Sequence, residues 1–311
     1  MKTVKITVKP ETSFITPLQS DTIFGEFCWQ YRYRYGKERL EELLGNYDEN
    51  PFIIFSDGFP KGFFPIPKFP MKKNPLEDGD SEIYAALKKF KKVRFISEKL
   101  FKNFKSMDEL FELFLNEWEK KSLENFLFSF WKTEDQVHVS IDRFLGTARE
   151  GALFETKEMF FDIEHLNIYA RFDDEKIGEN DIGEVLEIIG TFGFGAKKSW
   201  GKGKFKVEEV KEVSFCEPKD ANYFVSLSTG LPKEKEIEDF YAEFITKYPK
   251  HGNDVCSGSI FKRPVLLTSS GSVFKFREKK ESDGNAPISR AKTSRVTNII
   301  KIHFQYLCFL H

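Results

Sequence analysis

The segment "GTFGFGAKKSWGKGKF", residues 190–205, places five glycines and four lysines, with no acid, directly after the apolar helical pattern "DIGEVLEII". Glycine costs conformational entropy wherever it is ordered, so this cluster predicts backbone bent tightly between a helix and the strand-like "GKFKVEEV". The cationic surroundings suggest an anion. A Walker A loop needs four residues between its first glycine and its Gly-Lys, then a hydroxyl; here Gly195 and Gly201 enclose five, and Gly203 takes the hydroxyl's place. A dinucleotide fingerprint runs from strand to helix, the reverse of this order. Two readings stay open from the loop alone: a basic loop lying along a phosphate backbone, and a C-capped helix followed by an exposed lysine turn.

A chain of 311 residues accommodates two cores. It has 40% hydrophobic and 31% charged residues and no long apolar run, which predicts a globular, cytoplasmic protein without a membrane span. Cys28, Cys216, Cys256 and Cys308 are widely spaced, with no CxxC pair, and read as reduced core residues. The net charge of −1 argues against indiscriminate nucleic-acid coating, but the charge is uneven. Residues 88–105 carry +7 and residues 190–206 carry +5, leaving the rest at −13. The first run interleaves its lysines with Phe90, Phe95, Phe101 and Phe104, so a solvated face competes with RNA contact as its explanation.

Alternation of Val4, Ile6 and Val8 predicts a strand over 2–10, and Ser20 or Asp21 can cap a helix with the stripe Ile23, Phe24, Phe27, Cys28 and Tyr31. Prolines at 60, 65, 67, 70 and 75 exclude a helix there and predict an irregular insertion, followed by a helical hairpin over 106–131. Strands are expected around 137–141, 165–172, 204–210 and 222–232, a helix over 234–248, and strands between 256 and 276. The order strand, helix, strand, strand, helix, strand is the split βαβ plan. The expected fold is α+β, with two tandem ferredoxin-like domains over 1–150 and 151–311. The first carries an insertion at about 51–130; the second carries the loop 190–205 and a tail, 277–311.

Among the five histidines, His138 is the candidate catalytic base, sitting in a strand beside Arg143; a strand histidine satisfied by a neighbour is the plainer explanation. No HExxH, HxxxH, GxSxG or Cys-His signature is present, and Asp173–Asp174 reads as a turn. No metal, no cofactor and no enzymatic activity are expected.

The stretches "LQSDTIFGEFCWQYRYRYG", "FIIFSDGFPKGFFPIPKFP", "SIDRFLGTAREGALFETKEMFF", "FGFGAKKSWGKGKF" and "FKRPVLLTSSGSVF" occur in an order and spacing that resemble subunit four of the Csm complex, a RAMP family of type III-A CRISPR interference. The resemblance covers about 2–274. It implies two RRM-related ferredoxin-like domains, with a thumb-like insertion from about Phe52 to Lys105. The implied function is a non-catalytic subunit that caps the foot of the complex and holds the 5′ repeat-derived tag of the crRNA. Its partners would be the backbone RAMP subunit three and the large polymerase-like subunit. Carried over by position, Gly193, Gly195, Lys197, Lys198, Ser199, Gly201, Lys202, Gly203 and Lys204 would contact the RNA, with Arg143 and Thr147 as second contacts. Trp200 stands where such subunits often have a small residue, and the tail beyond Phe276 lacks the family's usual closing strand. Two alternatives are a metal-independent RAMP endoribonuclease using His138 and a scaffold subunit without direct RNA contact.

Overall fold

In a computed structural model, described for residues 1–47, 50–72, 81–103, 106–215, 223–230, 237–250, 262–276 and 307–310, the chain opens with β1 (Lys2–Pro10) and α1 (Ser20–Tyr35). Helix α2 (Lys37–Leu44) and the short strands β2 (Ile53–Phe55) and β3 (Phe59–Pro60) follow. A packed insertion then holds β4 (Phe63–Pro65), α3 (Ser81–Phe90), β5 (Phe95–Ser97), α4 (Glu98–Asn103), α5 (Met107–Glu119) and β6 (Phe126–Leu127). A long hairpin, β7 (Trp131–Ile141) and β8 (Ala148–Phe161), leads back to β9 (Leu166–Phe172), α6 (Glu179–Phe192) and β10 (Phe205–Glu212). Among the described residues the elements that follow are strands: β11 (Tyr223–Ser226), β12 (Ile237–Tyr241), β13 (Phe244–Lys247), β14 (Val265–Thr268), β15 (Val273–Phe276) and β16 (Leu307–Leu310).

The first sheet runs β10-β1-β9-β2, every neighbour antiparallel, with β3 also on β9. With α1 after the first strand and α6 after the third, this is the ferredoxin-like plan. The boundary expected at residue 150 therefore does not end the first unit, because β9 and β10 are the inner and outer neighbours of β1. The loop 190–205 accordingly belongs to the first unit, not the second. In the second sheet the order is β12-β15-β11-β16, again all antiparallel, which repeats the strand order of the first. The closing strand missing from the sequence reading is supplied by the tail, whose Leu307–Leu310 backbone pairs with β11.

Two helical expectations are corrected. Ile237, Phe240, Tyr241, Phe244 and Tyr248 recur at helical spacing, yet 237–241 pairs with β15 and 244–247 with β14; cross-strand partners outweigh local periodicity. The hairpin of helices expected over 106–131 is one helix, α5, capped by the Ser106 hydroxyl on the Glu109 N–H. It ends before Lys121, which takes the left-handed φ of 55°, and the chain turns into β6.

Apolar residues lie on both faces of the first sheet. On one side α1 sets Phe24 and Phe27 against Phe52 and Phe55, and α6 approaches β10 closely through Gly183 and Gly190. A Cβ at Gly190 would stand 2.1 Å from the Phe205 carbonyl oxygen. On the other side Tyr169 of β9 stacks on Phe64 and meets Phe215 edge to face. The described part of the segment expected as a thumb instead contributes phenylalanines to the core, with Phe52, Phe64, Phe95 and Phe101 buried. What projects is the β7–β8 hairpin, whose Val137, Ile141, Phe144, Leu145 and Leu153 are exposed. In the 88–103 run the phenylalanines point inward and the lysines outward; Phe104 and Lys105 lie outside the described residues, as do Cys216 and Cys256.

Asp57 joins the two units. Its buried carboxylate accepts the Ser20 N–H at 2.8 Å, the Thr229 N–H at 2.9 Å and the Thr229 hydroxyl at 2.8 Å. It thereby satisfies the first turn of α1, whose local N-cap, Gln19, supplies no side-chain bond; the expected Ser20 cap instead sends its hydroxyl to the Thr229 carbonyl. Burial pushes the Asp57 carboxyl above its ordinary range against the pull of these donors. Asp57→Ala leaves three buried donors unmet and is expected to cost about 3 kcal/mol, read as a lowered urea midpoint.

Candidate nucleic-acid interface

The glycine-rich loop is a compact knot between α6 and β10, and the chain itself dictates most of its glycines. Gly193, Gly195, Gly201 and Gly203 all have φ between 75° and 94°, where only glycine is unstrained. A Cβ at Gly193 would meet the Lys202 carbonyl oxygen at 2.4 Å, at Gly195 the Thr16 Cβ at 2.4 Å, and at Gly203 the Phe194 carbonyl oxygen at 2.2 Å. Only Gly201 of the four faces open space. Backbone N–H groups are likewise used internally: Phe194 donates to Gly203, Gly203 to the Ser13 carbonyl, Ala196 to the Thr16 hydroxyl and Lys204 to the Thr12 hydroxyl. Close backbone approach is real, but at these positions the approaching partner is the protein's own chain.

The lysines divide into two kinds. Lys202 Nζ lies 2.6 Å from Glu158 Oε2 and 3.1 Å from Ser13 Oγ, while Ser13 donates to the same carboxylate at 2.6 Å. Glu158 is 1% exposed. Burial alone would raise its pKa, yet Lys202, Ser13 and the nearby His138 prevail and hold the carboxyl below its ordinary value. Lys198 pairs with Glu26 of α1 at 3.0 Å. By contrast Lys197, Ser199 and Lys206 are exposed, Lys204 is partly so, and Lys197 sets its ammonium 3.8 Å from the Trp200 ring centroid.

The hairpin meets this loop edge on. Cross-strand neighbours His138 and Phe154 place their rings 5.1 and 6.0 Å from Trp200. His138 Nε2 lies 2.8 Å from the Thr156 hydroxyl, which reaches toward Glu158 at 3.5 Å. The histidine is thus satisfied by a side chain across the hairpin. Arg143 and Thr147 sit farther out at the exposed tip, where Asp142 accepts the N–H groups of Phe144 and Leu145. The structure therefore gathers Lys197, Trp200, His138 and Phe154 into one cluster and leaves Arg143 and Thr147 about five residues, roughly 15 Å of strand, beyond it. Sequence reasoning missed Phe154 and Glu158; only their register opposite His138 and Glu134 in β7 assigns them to the loop-facing side. Asp173 pairs with Lys176 within its turn and Asp174 with Lys2 of β1, and no three His, Cys, Asp or Glu side chains converge as metal ligands among the described residues.

A family model described as the RAMP superfamily matches residues 10–206, from the end of β1 to the start of β10. The chain belongs to the RAMP superfamily. The RAMP match thus spans both helices of the first ferredoxin-like unit, the insertion, the hairpin and the loop. Among solved structures, the fold is similar to a chain of the Csm1–Csm4 cassette crystallised with cA4, at 15% identity and a TM-score of 0.60, covering 100% of this chain and 98% of that one. It is also similar to a chain of the Csm3–Csm4 subcomplex of the type III-A CRISPR-Cas interference complex, at 18% identity and a TM-score of 0.53, covering 89% and 93%. No curated protein matches the sequence.

Two outcomes are expected from this geometry. Gly201→Ala, in open space, costs about 1 kcal/mol for its left-handed backbone, whereas Gly203→Ala costs at least about 3 kcal/mol because Phe194 must move; urea denaturation of both variants checks the contrast. Because the folded pKa of Glu158 is depressed, its contribution to stability is fully present above the unfolded carboxylate value and is lost as pH falls through the folded one. Lys202→Met removes the partner, so the acid-side fall of the urea midpoint begins at a higher pH than in the unaltered chain.

Proposed function

We propose that this RAMP protein is a non-catalytic crRNA-binding subunit of a type III-A CRISPR (Csm) interference complex, working in the cytoplasm at the foot of the assembly and holding the 5′ repeat-derived tag. The observation that carries this reading is the union of an exposed basic and aromatic surface on the loop with a projecting hairpin, inside a fold similar to chains of the Csm1–Csm4 and Csm3–Csm4 assemblies. Counterparts of Csm1, the large subunit, and Csm3, the backbone RAMP subunit, are the proposed protein partners. Lys197, Ser199, Gly201 and Lys204 are assigned to direct RNA contact, since their outward faces are open. Lys198, Lys202, Gly193, Gly195 and Gly203 are assigned to holding the loop in shape. Arg143 and Thr147 ride on the hairpin tip, which takes the thumb role expected of residues 52–105.

The endoribonuclease alternative asks His138 to move a proton at a ribose hydroxyl. Its Nε2 engagement by Thr156 and its ring contact with Trp200 weigh against that role. The scaffold alternative asks the basic loop to meet an acidic protein face, and the open lysines serve RNA equally well.

UV crosslinking of the affinity-purified native assembly tests the proposal. Repeat-derived RNA attached to peptides spanning 197–204 is the expected result; an intact assembly whose RNA never crosslinks to this chain overturns it. In solution, Lys204→Ala should reduce the slope of log affinity against log salt by about one. Lys202→Ala should instead act mainly on stability, through the Glu158 carboxylate it leaves buried and unpaired.

A further inference from the structure

The loop carries one feature that neither phosphate neutralisation nor internal packing explains. Trp200 is 45% exposed, although Phe194 and Phe205 at either end of the same loop are buried to within 2%. Beside it, Lys197 has a φ of 60°, one of two non-glycine residues in the left-handed region among the described residues. The other left-handed positions of this loop are glycines, so a lysine here keeps a backbone that costs about 1 kcal/mol relative to glycine. That conformation carries its ammonium over the indole, 3.8 Å from the ring centroid.

We propose that the Trp200 indole is the stacking surface for one unpaired nucleobase of a bound RNA, and that Lys197 covers this surface in the free protein and passes to the adjoining phosphate when the base arrives. The inference rests on the RNA-binding reading above and adds a residue, a chemistry and an exchange to it. An ammonium over an aromatic face is held by the ring's negative quadrupole, an attraction weak enough at an exposed site to be exchanged for a phosphate. A nucleotide supplies both requirements at once, a flat π surface for the indole and an anion for the displaced cation. An apolar protein surface could cover Trp200 but would strand the ammonium without an acceptor.

The indole is also held in a fixed attitude, which stacking needs. His138 and Phe154 stand beside it as tilted rings on the hairpin, and His138 is in turn fixed by Thr156. Lys202 and Glu158 tie the loop to β8, the strand that carries Phe154, so wall and platform share one anchor. Base–aromatic stacking tolerates every base, so this element adds affinity for unpaired RNA without reading its sequence.

The test uses the full chain with eight-nucleotide oligoadenylate and oligouridylate, measuring affinity by anisotropy across a salt series together with tryptophan emission. Binding is expected to quench emission, and Trp200→Leu to abolish that quench although three tryptophans remain. Trp200→Leu should weaken both oligonucleotides roughly five- to hundredfold with an unchanged salt slope, and Trp200→Phe should restore most of the loss. Lys197→Gly, whose backbone favours the same φ, should keep the fold and reduce the slope by about one. If Trp200→Leu binds as the unaltered chain does while Lys204→Ala weakens binding, the stacking surface is wrong and the RNA-binding reading stands. If the unaltered chain binds neither oligonucleotide even at low salt, both fall together.

Discussion

The candidate interface depends on one buried carboxylate. Glu158 lies in the strand that leaves the hairpin, yet its oxygens hold Lys202 from the loop and Ser13 from the link between the first strand and first helix. Three segments far apart in sequence are pinned to one point. A carboxylate this buried is tolerable only with partners of this kind, and each partner is fixed in turn by the need to satisfy it. The neighbouring backbone completes the joint, with Phe14 and Met159 exchanging both of their hydrogen bonds and Gly203 donating to Ser13. The position of the aromatic cluster on the hairpin follows from this anchoring.

The same economy explains the glycines. Three of the loop's left-handed glycines have their missing Cβ positions filled by Lys202, Thr16 and Phe194 of the same chain, so they permit the knot to close. The cations then emerge from a rigid turn rather than from a flexible tether. Chemistry is divided within six residues: Lys198 and Lys202 are spent on Glu26 and Glu158, while Lys197 keeps an outward, exchangeable contact.

Elsewhere the two sheets repeat one strand order, and Asp57 with Ser228 stitches them: the carboxylate binds Ser20 and Thr229, and the Ser228 hydroxyl donates to the Phe55 carbonyl at 2.8 Å. The insertion between the halves of the first unit covers the sheet face opposite the helices, through the stack of Phe64 on Tyr169. Phenylalanines of a proline-rich stretch that could have stood free, Phe59 and Phe64 among them, thereby join the core. The projecting role passes to the hairpin, where Val137, Val139 and Leu153 share the face turned away from the loop.

Local pattern was sufficient for the first strand, whose alternating Val4, Ile6 and Val8 are buried, for the stripe of the first helix, and for the helix–loop–strand around the glycines. These depend on contacts within a few residues, and period and composition express them directly. The α+β class and the basic character of the loop were legible for the same reason. Which sheet the strand 166–172 joins, whether 237–247 is helix or strand, which lysines are free and what Trp200 touches depend on partners up to about two hundred residues away. A strand's hydrogen bonds and a buried charge's counter-ion are chosen by whatever the folded chain brings alongside, and residue spacing carries no record of that choice. The amino-acid sequence by itself determined the elements and the inventory of charge; tertiary structure alone decided that Glu158 would consume Lys202 and leave Lys197 over Trp200, because burial and proximity exist only once the chain has closed.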